Sequence, residues 1–181
     1  MRTRTSWRWS VSSHRSRLST AGVADPSLPV TRSMTALVFV DTNVLVYARD
    51  RTDHEKHSQA LEWIVALWQE RAGRLSWQVL QEYYVTVTRK LDPPRPRADA
   101  RDDITSLASW RPIPIGIETV DAAWAVEDRF GLSWWDALIV ATAQAGGCDY
   151  LLSEDLQDGQ RFDSVTVVSP FTRAPASIVG G

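Results

Sequence analysis

Four acidic residues stand where this chain should deliver them to one point. Asp41 closes the apolar run Ala36-Leu37-Val38-Phe39-Val40, and Glu82 lies in Gln81-Glu82-Tyr83-Tyr84. Asp136 lies in Ser133-Trp134-Trp135-Asp136-Ala137-Leu138, and Asp155 follows Tyr150-Leu151-Leu152-Ser153 closely. Carboxylates gathered in one pocket repel one another, and a hard divalent cation bound through oxygen neutralises them. A carboxylate cage that leaves a position open on the ion suits hydrolysis of a phosphodiester bond.

The elements that must position these acids follow from the apolar pattern. Leu37–Val40 is a short continuous apolar run, as expected of a buried central strand. Asp41-Thr42-Asn43 opens a helical stretch over Val44–Ala48. Asp53–Arg71 reads as a helix with Ala60, Leu61, Ile64, Leu67 and Trp68 on one face, ended by Gly73. Ser76 caps a helix over Trp77–Lys90. The segment Asp92-Pro93-Pro94-Arg95-Pro96 is a stiff break, and Ala98–Trp110 is a further helix. Ile113–Ile117 is expected to form a short strand near an edge, because Pro114 interrupts it. An amphipathic helix over Thr119–Phe130 stops at Gly131. Ser133 and Asp136 form a capping box for a helix that runs to Ala145. Strands are expected at Asp149–Leu152 and Ser164–Val168, with a loose tail after Pro170. Strands alternating with helices imply an α/β fold, with a mainly parallel sheet covered on both faces.

In such a sheet, function gathers beyond the carboxyl ends of the strands. Asp41 and Asp155 each follow a strand, so both belong on that rim. Asp136 lies in the first turn of its helix, where the dipole favours a negative charge. The helix it opens is apolar almost all round, which makes a carboxylate at its mouth costlier than one on a wet surface. Each acid also has a plainer reading. Asp41 and Asp136 could be simple caps, Glu82 a solvated helix acid and Asp155 a loop residue, with Glu154 and Asp158 as competitors. The joint pattern outweighs these single readings.

Composition narrows the classes. The chain has 181 residues, enough for one domain with its own core; 44% are hydrophobic and 23% charged, as in soluble globular proteins. One cysteine, Cys148, excludes an intramolecular disulfide and fits a reducing cytoplasm; it reads as a small core residue. No apolar run is long enough to span a bilayer. Residues 1–33 carry six arginines against Asp25, a balance of +5. With −2 for the whole chain, this leaves residues 34–181 at −7. A polyanion would therefore have to be held by bound metal and local arginines, not by a basic face. Residues 1–33 read as a disordered extension. They would be a nucleic-acid-binding arm, a targeting peptide or a start placed too far upstream. The last is preferred, because Met34-Thr35 directly precedes the first strand.

The segments Val38-Phe39-Val40-Asp41-Thr42-Asn43-Val44-Leu45, Gln78-Val79-Leu80-Gln81-Glu82-Tyr83-Tyr84, Ser133-Trp134-Trp135-Asp136-Ala137-Leu138-Ile139 and Leu151-Leu152-Ser153-Glu154-Asp155-Leu156 resemble the PIN-domain nucleases. Within that family they are most similar to the toxin ribonucleases of VapBC-type toxin–antitoxin pairs. The likeness spans about residues 36–170. It implies a three-layer α/β/α fold over residues 34–171, with residues 172–181 as a flexible tail. It also implies a Mg²⁺ or Mn²⁺ site on Asp41, Glu82, Asp136 and Asp155. Thr42 and Asn43 would orient Asp41. Ser153 would support the last acid, and Asp158 would be the substitute for Asp155. Asp41 and Asp136 would ligate the ion directly, Glu82 and Asp155 directly or through water. Arg49, Arg51, Arg89 and Lys90 are candidate phosphate contacts. The substrate implied is RNA, cut to leave a 3′-hydroxyl and a 5′-phosphate. The partners implied are an antitoxin protein and a second copy of the chain, with no membrane.

Other readings remain. A phosphatase of the haloacid-dehalogenase type needs an acid two residues after the first, where this chain has Asn43. A housekeeping RNA-processing nuclease and a non-catalytic binding module both stay within the fold. His54 and His57 lack a third ligand and read as surface residues of a first helical turn. Among the 9 tryptophans, Trp63, Trp68 and Trp124 sit within helices, spaced like core or interface residues.

Overall fold

The computed structural model describes residues 35–179. In chain order the elements are β1 (Val38–Val40), α1 (Thr42–Tyr47), α2 (His54–Gln69), β2 (Gly73–Arg74), α3 (Trp77–Arg89) and α4 (Arg97–Leu107), which runs into a 3₁₀ turn at Ala108–Trp110. They continue with α5 (Ile117–Phe130), α6 (Trp134–Ala145), β3 (Tyr150–Leu152), β4 (Arg161–Phe162) and β5 (Val165–Val168), then a 3₁₀ turn at Pro175–Ser177. The reading of residues 1–33 lies outside the described residues.

The five strands form one sheet in the order β2-β1-β3-β5-β4. All neighbours are parallel except the β4–β5 pair at the edge. Helices cover the sheet in a three-layer α/β/α arrangement. Helix α1 packs on α2 and α3, α3 packs on α4, and α5 packs on α6, which lies on β3 and β5. The central strands β1 and β3 hold Val38, Phe39, Val40, Leu151 and Leu152 at 0% exposure, which is why they read as unbroken apolar runs. Each such side chain contributes about 1.5–3 kcal/mol by leaving water.

Caps set the helix starts. Asp53 accepts from the Glu55 and Lys56 amides at the head of α2, and Ser76 accepts from the Val79 amide at the head of α3. Gly131 ends α5 with a φ of +67°, a conformation that suits glycine. No helix among the described residues is long and apolar enough to cross a membrane.

Three expectations change. Ile113–Ile117 is not a strand. Ile113 makes a single bridge to Ser76, Pro114 cannot donate to a ladder, and Ile117 already begins α5. Two short strands, β2 and β4, were hidden because two residues carry no periodic signal. At Gly73 the sheet edge meets an aromatic ring, and a Cβ there would lie 2.6 Å from the Trp110 ring. The stretch after Pro170 is not loose as far as Val179. Trp63 Nε1 donates to the Arg173 carbonyl at 2.9 Å, the Phe171 ring sits edge-on to Tyr47, and Val179 is 4% exposed.

Candidate metal centre on the carboxyl rim of the sheet

Asp41 follows β1 directly, and its amide extends the ladder by donating to the Leu152 carbonyl at 3.0 Å. It caps α1, with Oδ1 accepting from the Thr42 amide at 2.6 Å. Its Oδ2 accepts from Ser153 Oγ at 2.8 Å. Ser153 follows β3 and is fully buried, so the first acid is held between two adjacent strand ends. The Ser153 hydroxyl also accepts from the Asp155 amide at 3.2 Å, which sets the turn that carries the last acid.

The two residues after Asp41 reach the other acids. Thr42 Oγ1 donates to Glu82 Oε2 at 2.9 Å, across 40 residues of chain. Asn43 Nδ2 donates to Asp155 Oδ2 at 2.6 Å. Thr42 and Asn43 were expected to orient Asp41, and Ser153 to support the last acid. Thr42 does hold Asp41, but through its backbone amide. The side chains are divided among the acids: Thr42 serves Glu82, Asn43 serves Asp155, and the Ser153 hydroxyl serves Asp41 while also holding the Asp155 amide.

Burial pushes the Asp41 carboxyl up to about 6, and the nearby charges of Asp155 and Glu82 add to the rise. The Ser153 hydroxyl and the Thr42 amide oppose it. Three of the four acids therefore share one electrostatic neighbourhood. Asp136 is not among the groups that perturb Asp41. It accepts from Ser133 Oγ at 2.7 Å, while its amide donates to the same oxygen at 3.3 Å. Half of the expected capping box forms: Ser133 caps α6, but the Asp136 carboxylate accepts from the Ser133 hydroxyl in place of its backbone amide. Helix α6 ends just before β3 begins, so Asp136, at the other end of the helix, lies toward the carboxyl rim that Asp41 and Ser153 occupy.

Among the described residues, no three His, Cys, Asp or Glu side chains are drawn tightly enough together to hold a metal ion as they stand. Each acid is instead tied to a hydroxyl, amide or backbone donor. The donor set still fits a hard cation. It is all oxygen, and its most buried member carries a raised pKa that a nearby positive charge would relieve.

The remaining candidates separate. Asp158 accepts from the Ser169 amide at 3.0 Å and from Arg173 Nε at 3.2 Å. Chiefly through the Ser169 amide, its carboxyl is held below the usual range. It braces the turn after β5 and is not a substitute for Asp155. Arg49 is not poised for a phosphate. Its guanidinium donates to Asp103 Oδ1 at 2.5 Å, and the two side chains are 10% and 4% exposed. Asp103 also accepts from Arg95 Nε at 2.7 Å and Tyr83 Oη at 2.6 Å, tying α4 to α1 and α3. Arg51, Arg89 and Lys90 are exposed. Arg89 lies two turns beyond Glu82 on α3, roughly 10 Å along the axis. Cys148 is buried, and burial raises its thiol to about 12, as suits a core residue.

Sequence reasoning passed over two neighbours of the site. Gln78 Nε2 donates to Glu82 Oε1 at 2.8 Å. The pair is four residues apart on one helix, and that spacing was the available signal. Lys56 Nζ pairs with Glu154 Oε2 at 2.6 Å, while Tyr47 Oη also donates to Glu154. This clamps the turn between Ser153 and Asp155 onto α2, and no local pattern in the sequence announces it.

A family model for the PIN domain matches residues 38–165. The chain belongs to the PIN-domain family. Among solved structures, the PIN fold here is similar to the crystal structure of VapC20 from Mycobacterium tuberculosis, described as a sarcin-ricin loop cleaving toxin. The TM-score is 0.51 at 22% sequence identity, with 71% of this chain and 98% of that chain covered. At that identity the likeness speaks for the PIN fold alone. No curated protein matches the chain by sequence.

Proposed function

We propose that this PIN-domain protein is a Mg²⁺- or Mn²⁺-dependent endoribonuclease acting as the toxin of a type II toxin–antitoxin pair. The observation that carries the reading is the gathering of Asp41, Glu82 and Asp155 by donors from Thr42, Gln78, Asn43 and Ser153 at the carboxyl rim, with Asp41 raised to about 6. Family membership supports the nuclease class, and the structural likeness to a toxin that cleaves the sarcin-ricin loop supports RNA as substrate.

Asp41 and Asp136 would hold the ion directly, with Glu82 and Asp155 direct or through water. Once bound, the ion supplies a water of lowered pKa and offsets charge that develops on the phosphate. The protein's own contribution is placement. Thr42 and Gln78 fix both oxygens of Glu82. Asn43 fixes one oxygen of Asp155, and Ser153 holds Asp41 against the strand end. In the overall reaction a water oxygen joins phosphorus, the bond to O3′ breaks, and O3′ takes up a proton. The products are a 3′-hydroxyl and a 5′-phosphate.

The partners are RNA, an antitoxin protein and a second copy of the chain, in the cytoplasm. Trp77, Ile117, Trp124 and Trp135 are 48–63% exposed, which supports a protein partner on the surface of the helices.

The test of the toxin reading is induced expression in a host lacking the neighbouring genes. Growth should stop, recovered RNA should carry new 5′-phosphate ends, and Asp41→Asn should abolish both. Unimpaired growth with accurate trimming of one structured RNA would instead favour a housekeeping nuclease.

A further inference from the structure

Three consecutive residues after β3 are each tied to the stretch from Asp41 to Tyr47. Ser153 Oγ donates to Asp41 at 2.8 Å, Tyr47 Oη donates to Glu154 Oε1, and Asn43 Nδ2 donates to Asp155 at 2.6 Å. Glu154 differs from its two neighbours in what else it meets. Its Oε2 pairs at 2.6 Å with Nζ of Lys56, a residue in the first turn of α2. Lys56 is itself held. Its amide donates to the cap residue Asp53 at 3.1 Å. Its ammonium lies 3.3 Å from Tyr47 Oη, 4.5 Å from the Tyr47 ring centre and 4.9 Å from that of Phe171. A cation over two aromatic faces is attracted to both. His57, the next residue, donates from Nδ1 to the Tyr47 carbonyl at 3.0 Å and steadies the same joint. The place of Lys56 calls for a reason, because a lysine in the first turn of a helix opposes the helix dipole. Stability is a weak one. The Lys56 and Glu154 side chains are 35% and 19% exposed, and ion pairs so open to water add little.

Glu154 and Asp155 are adjacent acids, and a turn free to roll could present either of them to Asp41. We infer that Lys56 is a positioning residue of the acidic site: by holding Glu154 against α1 and α2, it keeps Asp155 on the side of Asp41 and Asn43, and Glu154 out. This rests on the reading above that the acids bind a divalent ion. Groups that orient a metal ligand without touching the ion govern how well the ion is held. Lys56 then has two jobs. It fixes the face that the turn shows to Asp41, and it offsets the charge of the acid that the site does not use.

The test is Mn²⁺ affinity of the full chain, read from the spin resonance of free Mn²⁺, together with hydrogen exchange of the Asp155 amide in the metal-free chain. Lys56→Met removes a positive charge from beside a cation site, so through charge alone it would tighten Mn²⁺ binding. Through position it should weaken binding about tenfold. The Asp155 amide, which donates to Ser153 Oγ, should then exchange about fivefold faster. Lys56→Arg keeps the charge and can stack on both rings, so it should stay closer to the native chain in both readouts. Glu154→Gln should reproduce the faster exchange. Adding Lys56→Met to it should change little more, since both cut the same contact. Tighter or unchanged Mn²⁺ binding by Lys56→Met would overturn the inference. Weaker binding with unchanged exchange at Asp155 would overturn it as well. A native chain that binds no Mn²⁺ would remove the metal reading and the inference with it, while the exchange result would still decide whether Lys56 holds the turn.

Discussion

Ser153 Oγ donates to Asp41 Oδ2 at 2.8 Å, joining the ends of two neighbouring parallel strands at the point where the first acid is most buried. The contact lowers the cost of an ionised Asp41 but does not remove it, since the carboxyl still stands at about 6. Replacing Ser153 by Ala should leave Asp41 short of a donor and the Asp155 amide short of an acceptor. The expected loss is about 1–3 kcal/mol of stability in urea unfolding, with the Asp41 titration moving to higher pH.

Asp41 also sets a pH dependence. Its folded-state pKa is raised above the ordinary 3.8, so between these values the folded protein binds more protons than the unfolded one. Its stabilising contribution is therefore complete below about 4 and is lost as pH rises through about 6. Melting temperatures of the native chain without metal should fall over this range relative to Asp41→Asn. Saturating Mn²⁺ should flatten the difference. A native-minus-variant difference that does not change with pH would contradict the assignment.

Thr42→Val keeps the shape of a buried side chain but deletes the donor to Glu82. Cleavage under limiting Mn²⁺ is expected to drop by about 10–100-fold, the range found when a group that orients a metal ligand is removed. The fold should survive, as judged by circular dichroism.

The cluster around Asp103 makes the opposite prediction for Arg49. Asp103→Asn leaves two guanidiniums facing a neutral partner in a site that excludes water, at a cost of about 3–5 kcal/mol. Arg49→Lys also destabilises, since an ammonium lacks the forked geometry. Its affinity for RNA should not change once measured on folded protein. A weaker RNA complex with unchanged stability would restore Arg49 as a phosphate contact.

Much of this was legible in the sequence. Ser76 and Ser133 announced their helices because a cap is a local signal, and β1 and β3 showed as apolar runs because both faces of the sheet are covered. Asp41, Asp136 and Asp155 were legible for the same reason, each lying at a strand or helix end, whereas Glu82 lies inside α3. What the site does with its neutral residues was not legible. Whether Thr42 serves Asp41 or Glu82 depends on how α3 lies across α1, a tertiary fact. Arg49 and Asp103 are 54 residues apart, and no local pattern couples them. Asp158 looked like an acid of the site because only spacing was visible, whereas its partners Ser169 and Arg173 come from the turn after β5.

The fourth acid can be assigned by a pair of variants. Asp155→Asn should lower metal-dependent cleavage. Asp158→Asn should keep it and cost about 1 kcal/mol or less, as befits partly exposed contacts.

The most direct test of the central claim is cleavage of a labelled single-stranded RNA pool by the purified full chain, with Mn²⁺ and with EDTA, alongside Asp41→Asn and Asp136→Asn. Cleavage that needs the metal and disappears in both variants is the predicted result. Cleavage that persists in EDTA, or equally in either variant, would contradict a metal centre built on these acids.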